Sequence, residues 1–179
     1  MLVDCSASMA GEKVHQAKRG AAGFARDAID KGYATGLIEF FWAATNLCEP
    51  TRDMSTLERD IRGLKARRVG VLKTLGSLFH NWSGGTNMAE AIQLAHRRLK
   101  NRSGARAIVI ITDGQPNAPG DPLATLNAGE AAKKDGIDII TIGTDQADQW
   151  FLKRLASRAD LGMKVGEEDL RETIIHSTN

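Results

Sequence analysis

The sequence lacks several features that would assign it at once to a functional class. Two cysteines in 179 residues are too few for a disulfide-stapled secreted framework, and they form no metal-ligand or redox spacing. A formal net charge of +2, spread along the chain, gives no argument for nucleic acid. No apolar run approaches the roughly 20 residues that cross a bilayer. We therefore predict a reducing, cytoplasmic setting, no nucleic acid and no membrane span.

The chain has the size and composition of one ordinary domain. Its 179 residues are enough to bury a large core, and 42% of them are hydrophobic, as in globular proteins. We predict a single domain over 1–179 and, by default, a monomer. The first residues, 1–3, already have the pattern of the inside of a strand, so the first strand is expected to be truncated. The amino terminus shows no signal peptide pattern.

Strand-like and helix-like patterns alternate along the chain. The continuous apolar run at 107–111 is typical of a central parallel strand that is covered on both faces. Parallel neighbours need long right-handed crossovers, which the intervening helices supply. The prediction is a Rossmann-like three-layer α/β/α fold with a mostly parallel six-stranded sheet and one antiparallel edge strand. Strands are predicted near 1–3, 34–41, 45–48, 107–111, 137–142 and 163–165, and helices near 14–31, 55–64, 87–99, 124–134, 148–156 and from 168.

Two of the predicted helices carry a start signal in the sequence. Ser55 followed by Glu58 has the form of a capping box, and Asn87 with Glu90 forms a second such pair. Both pairs precede apolar residues at helical spacing. We therefore expect Ser55 and Asn87 to be the N-cap residues of their helices.

Polar residues follow two central strands at the points where those strands end. The first strand runs into Asp4, Ser6 and Ser8, and the 107–111 strand runs into Thr112-Asp113-Gly114. A glycine-rich loop ending in Thr86 leads into a helix between them. Ligands of open α/β sheets collect outside the carboxyl ends of the strands, so these side chains are expected to converge there.

The converging side chains are all oxygen donors. A set of carboxylates and hydroxyls without His or Cys suits a hard cation. Few carboxylates with room for water suit Mg²⁺ or Mn²⁺ better than a Ca²⁺ cage with many ligands, although Ca²⁺ stays open as an alternative. The sequence therefore predicts a magnesium site at this edge of the sheet.

The same residues resemble a known motif. Asp4, Ser6 and Ser8 in a D-x-S-x-S pattern, Thr86 in G-G-T-N, and Asp113 in T-D-G occur in the order of the metal-ion-dependent adhesion site (MIDAS) of von Willebrand factor type A domains. The resemblance covers nearly the whole chain. It implies that Ser6 and Ser8 bind the cation directly, while Asp4, Thr86 and Asp113 exchange between direct and water-mediated contact. It also implies a protein partner whose Asp or Glu becomes the last ligand.

Several other interpretations of these features stay open. Ser6, Ser8 and Thr86 are residue types that often cap helices, although capping does not explain why Asp4 and Asp113 end apolar strands at one edge. The family resemblance fits an adhesion module and equally a regulatory or scaffold subunit of a larger intracellular assembly, for example one associated with an AAA-type ATPase, as in bacterial intracellular members.

An enzyme is the alternative from another class. Mg²⁺-dependent phosphoryl-transfer hydrolases of the haloacid dehalogenase type also place an Asp at a strand end, but they generally need a second Asp two residues later, where this chain has Ser6. No P-loop or G-x-S-x-G elbow occurs. We therefore predict that the protein is not an enzyme.

The segment 65–82 is longer than the family pattern requires. Its basic and aromatic residues suit an acidic, partly apolar partner, although such a segment is more often a packed loop with solvated charges. These residues are Arg67, Arg68, Lys73, Phe79, His80 and Trp82.

Overall fold

The computed structural model describes residues 1–67, 86–114, 116, 122–143 and 147–164. The predicted helix from 168 and most of the segment 65–82 lie outside these residues. The elements are β1 (Leu2–Asp4), α1 (Glu12–Asp30), β2 (Thr35–Phe40), β3 (Ala44–Thr51), α2 (Met54–Gly63), α3 (Met88–Leu99), β4 (Ala107–Thr112), α4 (Pro122–Lys134), β5 (Asp138–Gly143), α5 (Gln149–Leu155) and β6 (Gly162–Lys164), with short 3-10 turns at Ala7–Met9 and Ala159–Leu161.

The strands form one mixed sheet in the order β3-β2-β1-β4-β5-β6. Every neighbouring pair is parallel except β2 and β3, which form an antiparallel hairpin at the edge. The predicted α/β fold with an antiparallel edge strand is confirmed. Because β1, β2, β4 and β5 run in one direction, their carboxyl ends meet at a single edge of the sheet.

Two apolar layers enclose the sheet, one on each face. Successive residues of a strand point to opposite faces, so Val3 joins one layer and Leu2 the other. The Val3 layer includes buried residues of α1 and α2, and the Leu2 layer includes buried residues of α3, α4 and α5. Helices therefore cover both faces, which explains why the central strands are almost entirely apolar.

The two predicted helix caps have different outcomes. Asn87 is the N-cap of α3, and its side chain accepts the backbone N–H of Glu90, as predicted. The prediction for α2 is wrong, since the helix begins at Met54 and its N-cap is Asp53, whose Oδ1 accepts the Ser55 N–H at 3.0 Å. Asp and Ser cap equally well, and the earlier residue takes the position here.

Both cysteines are free and buried within the described part of the chain. Cys5 follows β1 and Cys48 lies on β3. They pack as small apolar side chains, as expected, and burial raises the pKa of the Cys5 thiol to about 12. No helix in the described ranges is long and apolar enough to cross a membrane.

Gly143, at the end of β5, provides a test of how closely this strand packs against α5. An added Cβ would lie 2.6 Å from the Cβ of Ala147 and would also overlap the side chain of Leu152. We expect Gly143→Ala to lower the free energy of unfolding by about 1–3 kcal/mol, measured by urea denaturation. The control is Gly63→Ala in α2, where nothing lies within 4 Å. An equal loss in both variants would contradict the close packing of β5 on α5.

Candidate metal centre

Asp4 is the carboxylate at the end of the central strand β1. It is buried, with 1% of its surface exposed. Its Oδ1 accepts the backbone N–H of Ser6 at 2.8 Å, and its Oδ2 accepts the hydroxyl of Thr112 at 2.7 Å. Because Thr112 ends the neighbouring strand β4, these contacts fix the carboxylate between the two central strands.

A tight turn carries the two serines above Asp4. The N–H of Met9 donates to the carbonyl of Ser6 at 3.1 Å, and the fully buried Met9 side chain anchors the turn in the core. The hydroxyl oxygens of Ser6 and Ser8 lie 2.9 Å apart. Gly11 then takes a φ of 83°, which side-chain-bearing residues rarely adopt, and allows α1 to begin directly beyond the loop.

Asp113 joins the loop of β1 to the end of β4. Its Oδ1 accepts the hydroxyl of Ser8 at 2.8 Å, and its Oδ2 accepts the ammonium of Lys13 at 3.0 Å. A hydroxyl has one proton, so Ser8, which donates to Asp113, accepts the proton of Ser6. Asp4, Ser6, Ser8 and Asp113 therefore lie within one hydrogen-bonded network, with Ser6 buried and Ser8 exposed at its rim.

Thr86 lies buried at the same edge, immediately before α3. The N–H of Asn87 donates to the carbonyl of Phe41 at 2.5 Å, while the N–H of Cys5 donates to the carbonyl of Phe40 at 2.7 Å. Consecutive residues at the end of β2 thus hold both the Thr86 segment and the Asp4 loop. Glu90 reinforces this arrangement, because its Oε2 accepts from Asn87 Nδ2 at 3.1 Å and from the N–H of Ala44 at 3.2 Å.

Burial dominates the electrostatics of Asp4. Loss of hydration raises the pKa of this carboxyl to about 6, and the negative charge of Asp113 adds to the rise. Hydrogen bonds from Ser6 and Thr112 stabilise the ionised form and oppose the rise without cancelling it. A cation beside Asp4 would compensate this charge, as a metal ion does at other sites.

The composition of the site fits a hard divalent cation. Its donors are carboxylate and hydroxyl oxygens, which Mg²⁺ and Mn²⁺ accept. Across the described ranges, no group of three or more His, Cys, Asp or Glu side chains is placed to hold a metal. The candidate centre thus has two carboxylates, and neutral hydroxyls supply its other protein donors.

Two residues of this network were not among the predicted site residues. Thr112 was recognised only as part of the T-D-G pattern, although alternation along β4 could have placed its hydroxyl beside Asp4. Lys13 lies in the first turn of α1, which starts at the sheet edge where β1 ends. This position could have indicated that Lys13 lies near the site, since the first turn after a strand-to-helix loop lies near the loop itself.

The described end of the 65–82 segment takes part in packing at this edge. Arg67 donates its backbone N–H to the carbonyl of Cys5 at 2.7 Å. Its guanidinium donates to the buried carboxylate of Glu39 at 2.8 Å and lies over the ring of Phe41. The other predicted recognition residues of the segment lie outside the described part of the chain.

The fold and the motif order define a class of protein. The chain belongs to the von Willebrand factor type A domain family, whose model matches residues 1–115. No curated protein matches the sequence.

Solved structures with the same fold include the following three. The von Willebrand domain of the type V pilus tip protein Mfa5 from Porphyromonas gingivalis is 15% identical, with a TM-score of 0.79 over 98% of this chain and 91% of that chain. BatB from Bacteroides thetaiotaomicron is 20% identical, with a TM-score of 0.75 over 99% and 94%. Proximal thread matrix protein 1 from the mussel byssus, solved with a zinc-occupied MIDAS motif, is 14% identical, with a TM-score of 0.71 over 98% and 44%. At these identities the likeness establishes the fold.

Because the charge of Asp4 is buried, we expect Asp4→Asn to raise the free energy of unfolding in the presence of EDTA, by an amount that depends on pH. The folded pKa is raised, so ionised Asp4 lowers stability fully above about pH 6, and the penalty disappears as the pH falls below the ordinary pKa of 3.8. The asparagine would keep the contact to Ser6, while Thr112 turns its proton to the Gly114 carbonyl. We expect about 1–3 kcal/mol greater unfolding free energy at pH 7.5 and almost no gain at pH 3, below the ordinary pKa.

The matched control is Asp138→Asn, at an exposed carboxylate that begins β5 at the opposite edge. Its expected effect is below about 0.5 kcal/mol at both pH values. Chemical denaturation followed by circular dichroism measures both variants. A loss of stability from Asp4→Asn at pH 7.5 would contradict the electrostatic assignment.

Proposed function

We propose that this domain is a divalent-metal-dependent protein interaction module, with its site at the carboxyl edge of the sheet. Ser6 and Ser8 would hold Mg²⁺ through their hydroxyls, and Asp4, Thr86 and Asp113 would contact it directly or through water. The observation that carries the proposal is the hydrogen-bonded network joining Asp4, Ser6, Ser8 and Asp113. The bound ion would supply a positive centre with a coordination position for an outside ligand.

The kind of ligand follows from the charge of the donors. Neutral hydroxyls and water leave a divalent cation less compensated than a cage of carboxylates would. An Asp or Glu of a protein partner is then a favourable last ligand, because its negative charge completes the coordination. The exposure of Ser8 at the rim supports access from outside, while the burial of Asp4 keeps the base of the site fixed.

The contacts of Asp4 support binding rather than phosphoryl transfer. Both of its oxygens accept hydrogen bonds, from Ser6 N–H and the Thr112 hydroxyl. These bonds hold the carboxylate in place within the buried network, and Ser6 occupies the position where phosphoryl-transfer hydrolases of this kind generally need a second Asp. The proposed domain therefore acts by binding, either as an adhesion module or as a scaffold subunit of a larger assembly.

The proposed setting is the cytoplasm, and the support for it is the pair of free cysteines. Similar structures come from other settings, among them the pilus tip protein Mfa5 and an aerotolerance-related membrane protein from Bacteroides fragilis. Fractionation of source cells, followed by immunoblotting for the domain, distinguishes these settings. Recovery in the surface or membrane fraction would reject the cytoplasmic assignment.

The proposed ligands predict the loss of Mg²⁺ binding in a double variant, Ser6→Ala with Ser8→Ala. Removing two direct ligands is expected to weaken binding at least about 100-fold in isothermal titration calorimetry. The fold should survive, since the sheet buries the apolar core and each lost hydrogen bond costs about 1 kcal/mol. Ser103→Ala, at an exposed serine between α3 and β4, serves as the control. Unchanged Mg²⁺ affinity in the folded double variant would refute the site.

The proposed partner chemistry predicts metal-dependent capture from a lysate of the source organism. The wild-type domain should retain a partner in Mg²⁺ and release it in EDTA, and the double serine variant should retain none in either condition. Quantitative mass spectrometry of the four eluates measures the difference. Equal capture in all conditions would show that partner binding does not depend on the metal site.

A further inference from the structure

Lys13 is a charged residue beside the site, and it is not one of the proposed metal ligands. Its ammonium lies 3.0 Å from Asp113 Oδ2, and the side chains of Lys13 and Asp113 are only 12% and 2% exposed. Water and salt screen such a shielded pair weakly, so the lysine charge acts strongly on whatever binds beside Asp113. The solvent-exposed ion pairs of this protein interact more weakly, because water and salt screen their charges.

The backbone fixes this ammonium beside the site. Lys13 is the second residue of α1, and the turn at Ala7–Met9 with Gly11 sets where that helix begins. Asp113 does not depend on Lys13 alone, because Ser8 holds its other oxygen at 2.8 Å. Removing the lysine charge therefore leaves a contact that orients the carboxylate.

The formal charges of the site show what Lys13 changes. With Asp4, Asp113 and Lys13 each counted in the ionised form, the formal charges of these three groups sum to −1. A bound divalent cation would bring it to +1, whereas without the lysine the loaded site would be neutral. Arg67 at the same edge is paired with the buried Glu39, so that pair adds no net charge.

We infer that Lys13 makes the site an anion receptor: its ammonium weakens the hold on the divalent cation and strengthens the binding of a carboxylate to the loaded site. This inference rests on the proposed function. The two effects have opposite signs because the lysine repels the cation and attracts the incoming anion. A lysine that only oriented Asp113 would act differently, and its loss would weaken both binding steps or neither.

Lys13→Met tests the inference, because methionine keeps most of the apolar stem and removes the charge. Binding of Mn²⁺ is measured by electron paramagnetic resonance of the free ion. Binding of acetate to the Mn²⁺-loaded protein is measured by paramagnetic broadening of its methyl resonance. We expect Lys13→Met to bind Mn²⁺ about tenfold more tightly and to bind acetate at least about threefold more weakly.

Two further variants keep the test decisive. Lys13→Arg retains the charge and should stay within about threefold of wild type in both measurements. Lys13→Gln replaces Lys13→Met if the methionine variant does not fold. Equal or weaker Mn²⁺ binding after loss of the charge, or unchanged acetate binding, would overturn the role of Lys13 while leaving the metal site intact. Absence of Mn²⁺ binding in the wild type would instead overturn the proposed function and this inference together.

Discussion

The burial of a carboxylate at the end of the central strand is the constraint on which the site depends. An ionised carboxylate in a protein interior is costly unless hydrogen bonds and opposite charge compensate it. Ser6 and Thr112 supply hydrogen bonds to Asp4, yet its pKa still rises to about 6. The fold thus retains an incompletely compensated negative charge at the place where a cation would be useful.

Contacts from three strands bring the other oxygen-bearing side chains to this edge. The parallel register of β1 and β4 brings Thr112 to Asp4, and the turn after β1 places Ser8 against Asp113. The end of β2 holds the Thr86 segment beside them through Phe41. The residues therefore reach one place through three strands of the sheet, and no single loop defines the site.

Much of this arrangement could be predicted from the sequence, because it depends on patterns with clear physical meaning. The apolar run of β4 identified a buried parallel strand, and residues following such strands meet at one edge whatever the exact bounds. The contact of Lys13 was harder to foresee, since it depends on where α1 begins and how its first turn is rotated. The predicted N-cap of α2 was wrong for a related reason. Asp53 and Ser55 are both good N-cap residues, and the path of the chain selects between them.

The central claim is that Ser6 and Ser8 hold a divalent cation beside Asp4 and Asp113. Its most direct test is a crystal of the domain grown in Mn²⁺, with an anomalous difference map calculated near the manganese edge. The account predicts one strong peak about 2.0–2.3 Å from the two serine hydroxyl oxygens. A peak bound elsewhere, or an ordered site without manganese at saturating concentration, would contradict it.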